Sequence, residues 1–130
     1  MRLCSTSVLY ILLLRQLRQI ERRQDTVNQL IQVAEKDGKI VSSCVCVIIP
    51  NLTHGQQPYA FIENVITDEN YRKRGLATAC LDYAREIAEK EHCYKMMLLT
   101  GSKKESTLNF YRQAGYNSED KTASRPFPPQ

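Results

Sequence analysis

Asp68-Glu69-Asn70-Tyr71-Arg72-Lys73-Arg74-Gly75-Leu76-Ala77 joins an apolar run, Tyr59 to Ile66, to a segment in which Leu76, Cys80, Leu81, Ala84, Ile87 and Ala88 recur at helical spacing. Asp82, Arg85, Glu86, Glu89 and Lys90 fill the intervening positions, which predicts an amphipathic helix entered from a strand. A helix N-terminus has N–H groups without acceptors and a partial positive charge, and a preceding turn adds further N–H groups in a concave nest. Gly75 lets the backbone approach an anion, Ala77 keeps the first turn uncrowded, and Arg72, Lys73 and Arg74 add charge. The junction is therefore a candidate phosphate site, with a basic loop ahead of a helix as the plainer alternative. Neither the Walker pattern of nucleotide hydrolases nor the three-glycine fingerprint of dinucleotide oxidoreductases occurs, so those chemistries lose their main support.

Downstream, Tyr94-Lys95-Met96-Met97-Leu98-Leu99-Thr100 is short, apolar and stops at Gly101, predicting a buried strand beside the one before the helix. The resulting strand-helix-strand unit should cross over right-handed. Ser102 to Glu105 opens a last helix through Gln113, with Gly115 placed to stop it in a left-handed conformation. Upstream, Ile31 to Glu35 and Ile40 to Pro50 flank Lys36-Asp37-Gly38-Lys39, a hairpin signal, and Asn51 to Pro58 reads as a loop. Nearer the start, Arg2-Leu3-Cys4 suggests a strand, and Ser5, Thr6 or Ser7 would cap a helix burying Leu12, Leu13, Leu17 and Ile20. Asp25 would cap a second, shorter helix. The tail Arg125-Pro126-Phe127-Pro128-Pro129 is too rich in proline for a full strand ladder.

A chain of 130 residues suits one domain with one shared core, and its 42% hydrophobic and 25% charged content is that of a globular protein. The net charge of +4 suits an anionic ligand without demanding one. Arg15, Arg18, Arg22 and Arg23 would lie along one side of the expected first helix, read as a solvated face and not as a nucleic-acid patch. The apolar stretch Val8 to Leu14 is far shorter than the ~20 residues that span a bilayer, so no membrane partner is expected. Cys4, Cys44, Cys46, Cys80 and Cys93 are odd in number and several sit in apolar runs, which points to a reducing, cytoplasmic setting. Cys44-Val45-Cys46 lacks the spacer of metal and redox pairs, and no metal site is expected.

Two segments with a helix and a strand between them, Arg72-Lys73-Arg74-Gly75-Leu76-Ala77 and Leu108-Asn109-Phe110-Tyr111-Arg112-Gln113-Ala114-Gly115-Tyr116, carry a likeness. Together they resemble the GNAT superfamily of N-acetyltransferases: the first its Arg/Gln-x-x-Gly-x-Gly/Ala cofactor motif, the second its Phe-Tyr-x-x-x-Gly-Phe/Tyr motif. The resemblance covers Ile31 to Tyr116. It implies an α+β, three-layer α/β/α fold with a mixed, mostly antiparallel sheet. The region before Ile31 is shorter than the family's usual opening, and the proline-rich tail stands where its last strand normally lies.

The resemblance implies acetyl-CoA as co-substrate and a primary amine as acceptor. Cofactor contacts would come from Val65, Ile66, Thr67, Arg72, Lys73, Arg74, Gly75, Leu76, Ala77, Thr78 and Thr107, the last standing where the family often has Asn. The Val65 strand would splay from its neighbour and lend backbone groups to the pantetheine and the thioester carbonyl. An alkyl ammonium has a pKa of about 10.4, so transfer to an amine calls for a base. Glu63 is the candidate, directly or through water, or else a carboxylate that merely binds a cationic substrate. Tyr111 would protonate the departing thiolate, or else pack as a core aromatic against Phe110. Cys80 and Cys93 lie in apolar surroundings without an evident basic partner, so direct transfer is favoured over an acyl-enzyme. Ile62-Glu63-Asn64-Val65 and Cys93-Tyr94-Lys95 are similar to the glucosamine-phosphate branch, which suggests an amino sugar, although a small amine, an antibiotic or a protein amino group fits too. The alternatives are a non-catalytic CoA-binding or protein-interaction module on the same scaffold and a nucleic-acid binder working through the arginine face. A homodimer is an open expectation.

Overall fold

In the computed structural model, residues 17–24 and 27–121 are described. The strands are β1 (Leu17–Gln24), β2 (Val27–Lys36), β3 (Lys39–Ile49), β4 (Tyr59–Thr67) and β5 (Met96–Leu98). The helices are α1 (Leu76–Lys90) and α2 (Glu105–Gln113). The chain divides into two compact units, one to Thr100 and one from Gly101. The first holds a sheet of order β1-β2-β3-β4-β5, antiparallel throughout except for the parallel β4–β5 pair. This is the mixed, mostly antiparallel α+β arrangement expected.

The β2–β3 hairpin follows from two residues. Asp37 and Gly38 both have positive φ, 52° and 76°, and Lys36 pairs with Lys39 across them. Two left-handed residues in succession match the twist of the flanking strands, and Asp-Gly is a pair that adopts them readily. From Cys44 onward β3 alternates: Cys44, Cys46 and Ile48 are buried, while Val45, Val47 and Ile49 are half-buried. The helix brings Leu76, Ala79, Cys80, Leu81, Ala84, Ile87 and Ala88 into the core. Three alanines and a cysteine among these let the helix come close, and the Cys44 thiol donates to the Cys80 carbonyl at 3.5 Å. The same sulfur lies 3.6 Å from Oε1 of Gln32, a buried amide opposite it on β2.

Two expectations near the start are corrected. Leu17 and Ile20 lie on β1 and not on a helix, paired with Ala34 and Ile31 of β2. Val27 already belongs to β2, so no second helix follows Asp25, and the strand begins ahead of Ile31. Apolar residues three apart fit a helix locally, but a continuous antiparallel ladder from Leu17↔Ala34 to Gln24↔Val27 gives every residue of β1 a cross-strand neighbour on β2, and tertiary pairing overrides the local preference. The helical face proposed for Arg18, Arg22 and Arg23 goes with it. The expectations for Arg2 to Cys4, the Ser5 to Ser7 cap, Val8 to Leu14, Arg15, Asp25 itself and the tail Arg125 to Pro129 lie outside the described residues. No helix among the described residues is long and apolar enough to cross a membrane.

In the second unit α2 ends as predicted. Gly115 has φ 94°, its N–H bonds to the Arg112 carbonyl and the Tyr116 N–H bonds to the Tyr111 carbonyl, both at 3.0 Å. This is the double bond pattern of a Schellman stop, and the Tyr111 and Tyr116 rings meet edge to face with centroids 6.2 Å apart.

Ala84 is wholly buried, so Ala84→Leu should cost about 1–3 kcal/mol through overpacking, read as a lower urea midpoint at unchanged slope. An unchanged midpoint would mean that the helix does not pack as tightly as its small residues imply.

Candidate functional site

The site begins with a break in a strand. Ser43 pairs with Ile66 and Val45 with Glu63, so two steps along β3 match three along β4. The extra residue is a β-bulge, and within it Asn64 is left-handed, φ 53°. Asn tolerates this conformation better than most residues because its short amide can bond locally. Glu63, on the near side of the bulge, is exposed. On the other edge of β4, pairing with β5 runs only from Ala60↔Met96 to Ile62↔Leu98. Beyond that point Val65, Ile66 and Thr67 have no described strand on that edge, and the exposed apolar side chains Ile66 and Leu99 lie past the end of the ladder. The described β4–β5 pairing therefore stops short of Val65.

The end of β4 is tied firmly to β3. Ser42 Oγ donates to the Ile66 carbonyl at 3.1 Å and lies 2.9 Å from Thr67 Oγ1, while the Asp68 N–H donates to the Val41 carbonyl at 2.8 Å. Asp68 then organises the turn: its carboxylate accepts from the Asn70 N–H, and its carbonyl from the Tyr71 N–H, each at 2.9 Å. Lys39 at the hairpin reaches Asp68 Oδ2 at 2.9 Å.

Past this anchor the backbone is left-handed at Lys73, φ 60°, and at Gly75, φ 76°. A non-glycine residue held there stores strain, which is characteristic of ligand clamps. Gly75 is the N-cap of α1 and has no side chain to occupy the helix's first N–H groups; the first helical bond runs from the Ala79 N–H to the Gly75 carbonyl, 3.0 Å. No acidic residue stands in the first turn, while Arg72, Lys73 and Arg74 are all exposed. Arg72 Nε donates to the Thr67 carbonyl at 3.4 Å and an Arg74 Nη to the Asn70 carbonyl at 3.3 Å, which folds both arginines over the loop. The Leu76 side chain is buried, so it offers only its N–H, whereas Ala77 and Thr78 are half-buried. Chemically the arrangement is an anion cradle beside an open strand edge.

Thus Glu63, Val65, Ile66, Thr67 and Arg72 to Thr78 follow one another along one strand, turn and helix start. Thr107 and Tyr111 lie in the second unit, on α2. Both are half-buried, and the Tyr111 ring stands edge to face with Phe110 at 5.1 Å. The bulge, the Ser42 ties and the Lys39–Asp68 pair went unread in the sequence. An Asn inside a strand pattern was the one available signal. Burial pushes the Cys46 thiol up to about 12 and that of Cys80 to about 11, and raises Cys44 further still.

The acetyltransferase (GNAT) family model matches residues 6–116. The glucosamine 6-phosphate N-acetyltransferase of Trypanosoma brucei brucei is 30% identical over 100 residues, covering 77% of this chain and 66% of that protein. An uncharacterized N-acetyltransferase of Methanocaldococcus jannaschii is 29% identical over 90 residues, 68% of this chain and 39% of the relative. The chain thus spans less than two thirds of the length of either. A solved structure from Agrobacterium tumefaciens str. C58, provisionally named an acetyltransferase, aligns with a TM-score of 0.72 at 33% identity, covering 98% of this chain and 81% of that one.

The Lys39–Asp68 tie has a pH signature. The hydrogen bond from Lys39, followed by that from the Asn70 backbone, holds the Asp68 carboxyl below its ordinary value, and Asp68 in turn raises Lys39. A depressed acid stabilises above its unfolded value and loses that contribution as pH falls through its folded value; a raised lysine does the reverse, losing it as pH rises through its own. The tie should therefore be complete across neutral pH and fail first in acid. A carboxyl-carbon NMR titration should find Asp68 below the usual aspartate range and moving back toward it in Lys39→Met. The same midpoint in both proteins would remove Lys39 as the cause.

Proposed function

The chain belongs to the acetyltransferase (GNAT) family, and from that premise we propose that it moves the acetyl group of acetyl-CoA onto a primary amine by direct attack on the thioester. The observation that carries this reading is the cradle of left-handed Lys73 and Gly75 at the uncapped start of α1, with three exposed cations and no first-turn acid. Such a place suits a pyrophosphate.

In this reading Arg72, Lys73, Arg74 and the N–H groups of Gly75, Leu76, Ala77 and Thr78 hold the pyrophosphate. Pantetheine amides need an unpaired strand edge, and among the described residues no strand pairs with β4 at Val65, Ile66 and Thr67 on the side beyond its last pair with β5. An N–H on that edge would meet the charge that develops on the thioester oxygen. Thr107 adds a cofactor contact. Glu63 relieves the incoming ammonium of its proton, directly or through water, and its exposure just before the bulge supports access to solvent and substrate. Tyr111 returns a proton to the departing thiolate. The Cys44, Cys46 and Cys80 thiols, buried and held far from ionisation, make poor nucleophiles, which supports direct transfer over an acyl-enzyme on any of these three. The Trypanosoma relative's name makes a phosphorylated amino sugar the first acceptor to try.

Calorimetric titration with acetyl-CoA tests the cradle, with ATP as the comparison. Gly75→Glu should abolish acetyl-CoA binding, because a carboxylate would face the phosphates. A Cβ at Gly75 meets nothing within 4 Å, so the stability cost should be confined to the left-handed strain, about 1–2 kcal/mol. Unchanged affinity in the variant would remove the central claim.

Glu63→Gln and Tyr111→Phe should each leave acetyl-CoA affinity intact and lower kcat by roughly 10²–10⁴-fold, as expected for loss of a general base or acid. If Tyr111→Phe instead loses binding and stability together, the tyrosine packs and does not transfer protons.

A further inference from the structure

Next to the cradle lies a second concentration of positive charge. Lys36 Nζ, Lys39 Nζ and the Arg74 guanidinium stand 6.0, 5.8 and 5.0 Å from the centroid of one ring, that of Tyr71. Lys36 and Lys39 bracket the β2–β3 turn, whereas Tyr71 and Arg74 belong to the loop after β4. The two segments are held together by the Asp68 N–H bond to Val41 and by the Lys39–Asp68 pair. Only Lys39 has a carboxylate partner: among the described residues neither Lys36 nor Arg74 has one within ion-pair distance, although Asp37 and Glu69 are close in sequence. A ring quadrupole attracts each cation but does nothing to relieve the repulsion among three of them. The arrangement calls for an anion.

We propose that Lys36, Lys39 and Arg74, gathered around Tyr71, form a phosphate-monoester subsite that takes the 3′-phosphate of CoA. The proposal rests on the reading that the cofactor's pyrophosphate occupies the adjoining cradle. CoA carries two kinds of phosphate. The pyrophosphate bears one charge per phosphorus and suits backbone N–H groups, whereas a monoester carries about −1.5 to −2 charge at pH 7 and suits converging cations. Arg74 belongs to both places, since it follows Lys73 in the cradle and caps the Tyr71 ring. The ribose holds the 3′-phosphate within a short reach of the pyrophosphate, so neighbouring subsites are the expected geometry. Tyr71 is on this account a positioning residue, holding cations from two chain segments at one point.

The test is calorimetric titration of the full chain with CoA and with 3′-dephospho-CoA, for the wild type, Lys36→Met and Lys36→Arg. Lys36 is exposed and makes no ion pair among the described residues, so its replacement leaves the fold's ties in place. The wild type should prefer CoA by about tenfold, as charge-assisted contacts to a monoester allow. Lys36→Met should reduce that preference to roughly threefold at unchanged affinity for dephospho-CoA, the modest loss typical of an exposed charge, and Lys36→Arg should restore it. Equal wild-type affinities for the two ligands, or an equal loss for both in Lys36→Met, would overturn the subsite while leaving the cradle intact. Binding of neither ligand would overturn the acetyl-CoA reading itself. A preference for glucosamine 6-phosphate over glucosamine that disappears in Lys36→Met, with CoA unaffected, would assign the phosphate to the acceptor and overturn the cofactor assignment.

Discussion

The closeness of α1 to β3 is the constraint on which the rest of the sheet-bearing unit depends. A thiol on a strand can reach a helix carbonyl, as Cys44 does at Cys80, only where the facing residues are small, and Ala79, Cys80, Ala84 and Ala88 meet that condition. The helix axis is thereby set against the middle of the sheet. Because α1 follows β4 through a loop of fixed length, its N-terminus is delivered beside the end of that strand. The same close packing confines Leu76 to the core and leaves only its backbone for other work.

Around that N-terminus the chain departs from ideal geometry at three non-adjacent points: Asn64, Lys73 and Gly75. Each left-handed residue is held by regular structure on either side. The bulge at Asn64 sits between ladder pairs Val45↔Glu63 and Ser43↔Ile66, and the loop is fastened at its base by Ser42, Val41 and Lys39. Local strain of about 1–3 kcal/mol at a non-glycine residue such as Lys73 persists only where the surroundings over-determine it. Here the surroundings are the long, well-paired β3 and the first turns of α1. Preorganisation of the cradle therefore comes from elements outside it.

Features written into short stretches of sequence were legible. The Asp37-Gly38 turn, the periodic face of α1, the glycine before it and the glycine that stops α2 each rest on residues adjacent along the chain. The basic loop at Arg72 to Arg74 was legible for the same reason. Features set by partners distant in sequence were not. Leu17 and Ile20 have helical spacing, and only the ladder with β2 makes them a strand. Beyond the Asn itself nothing near position 64 announces an extra residue, because a bulge is a mismatch between two strands and exists only in their register. The Lys39–Asp68 pair joins residues 29 apart, and the ring of Tyr71 collects cations from both of those segments. Glu63 was singled out for its carboxylate, but its place at the edge of the bulge is a property of the folded sheet.

The burial of the cysteines has a consequence for how the molecule opens. Of the four described thiols, Cys93 is half-buried and Cys44, Cys46 and Cys80 are fully enclosed, on β3 and on the face of α1 that covers it. Among these four described thiols, an alkylating reagent meeting the folded chain finds Cys93 first. The other three can react only when helix and sheet part, since a thiol without solvent is also a thiol without its thiolate. Their modification rates report the free energy of separating that one seam, residue by residue, in a protein carrying no added label.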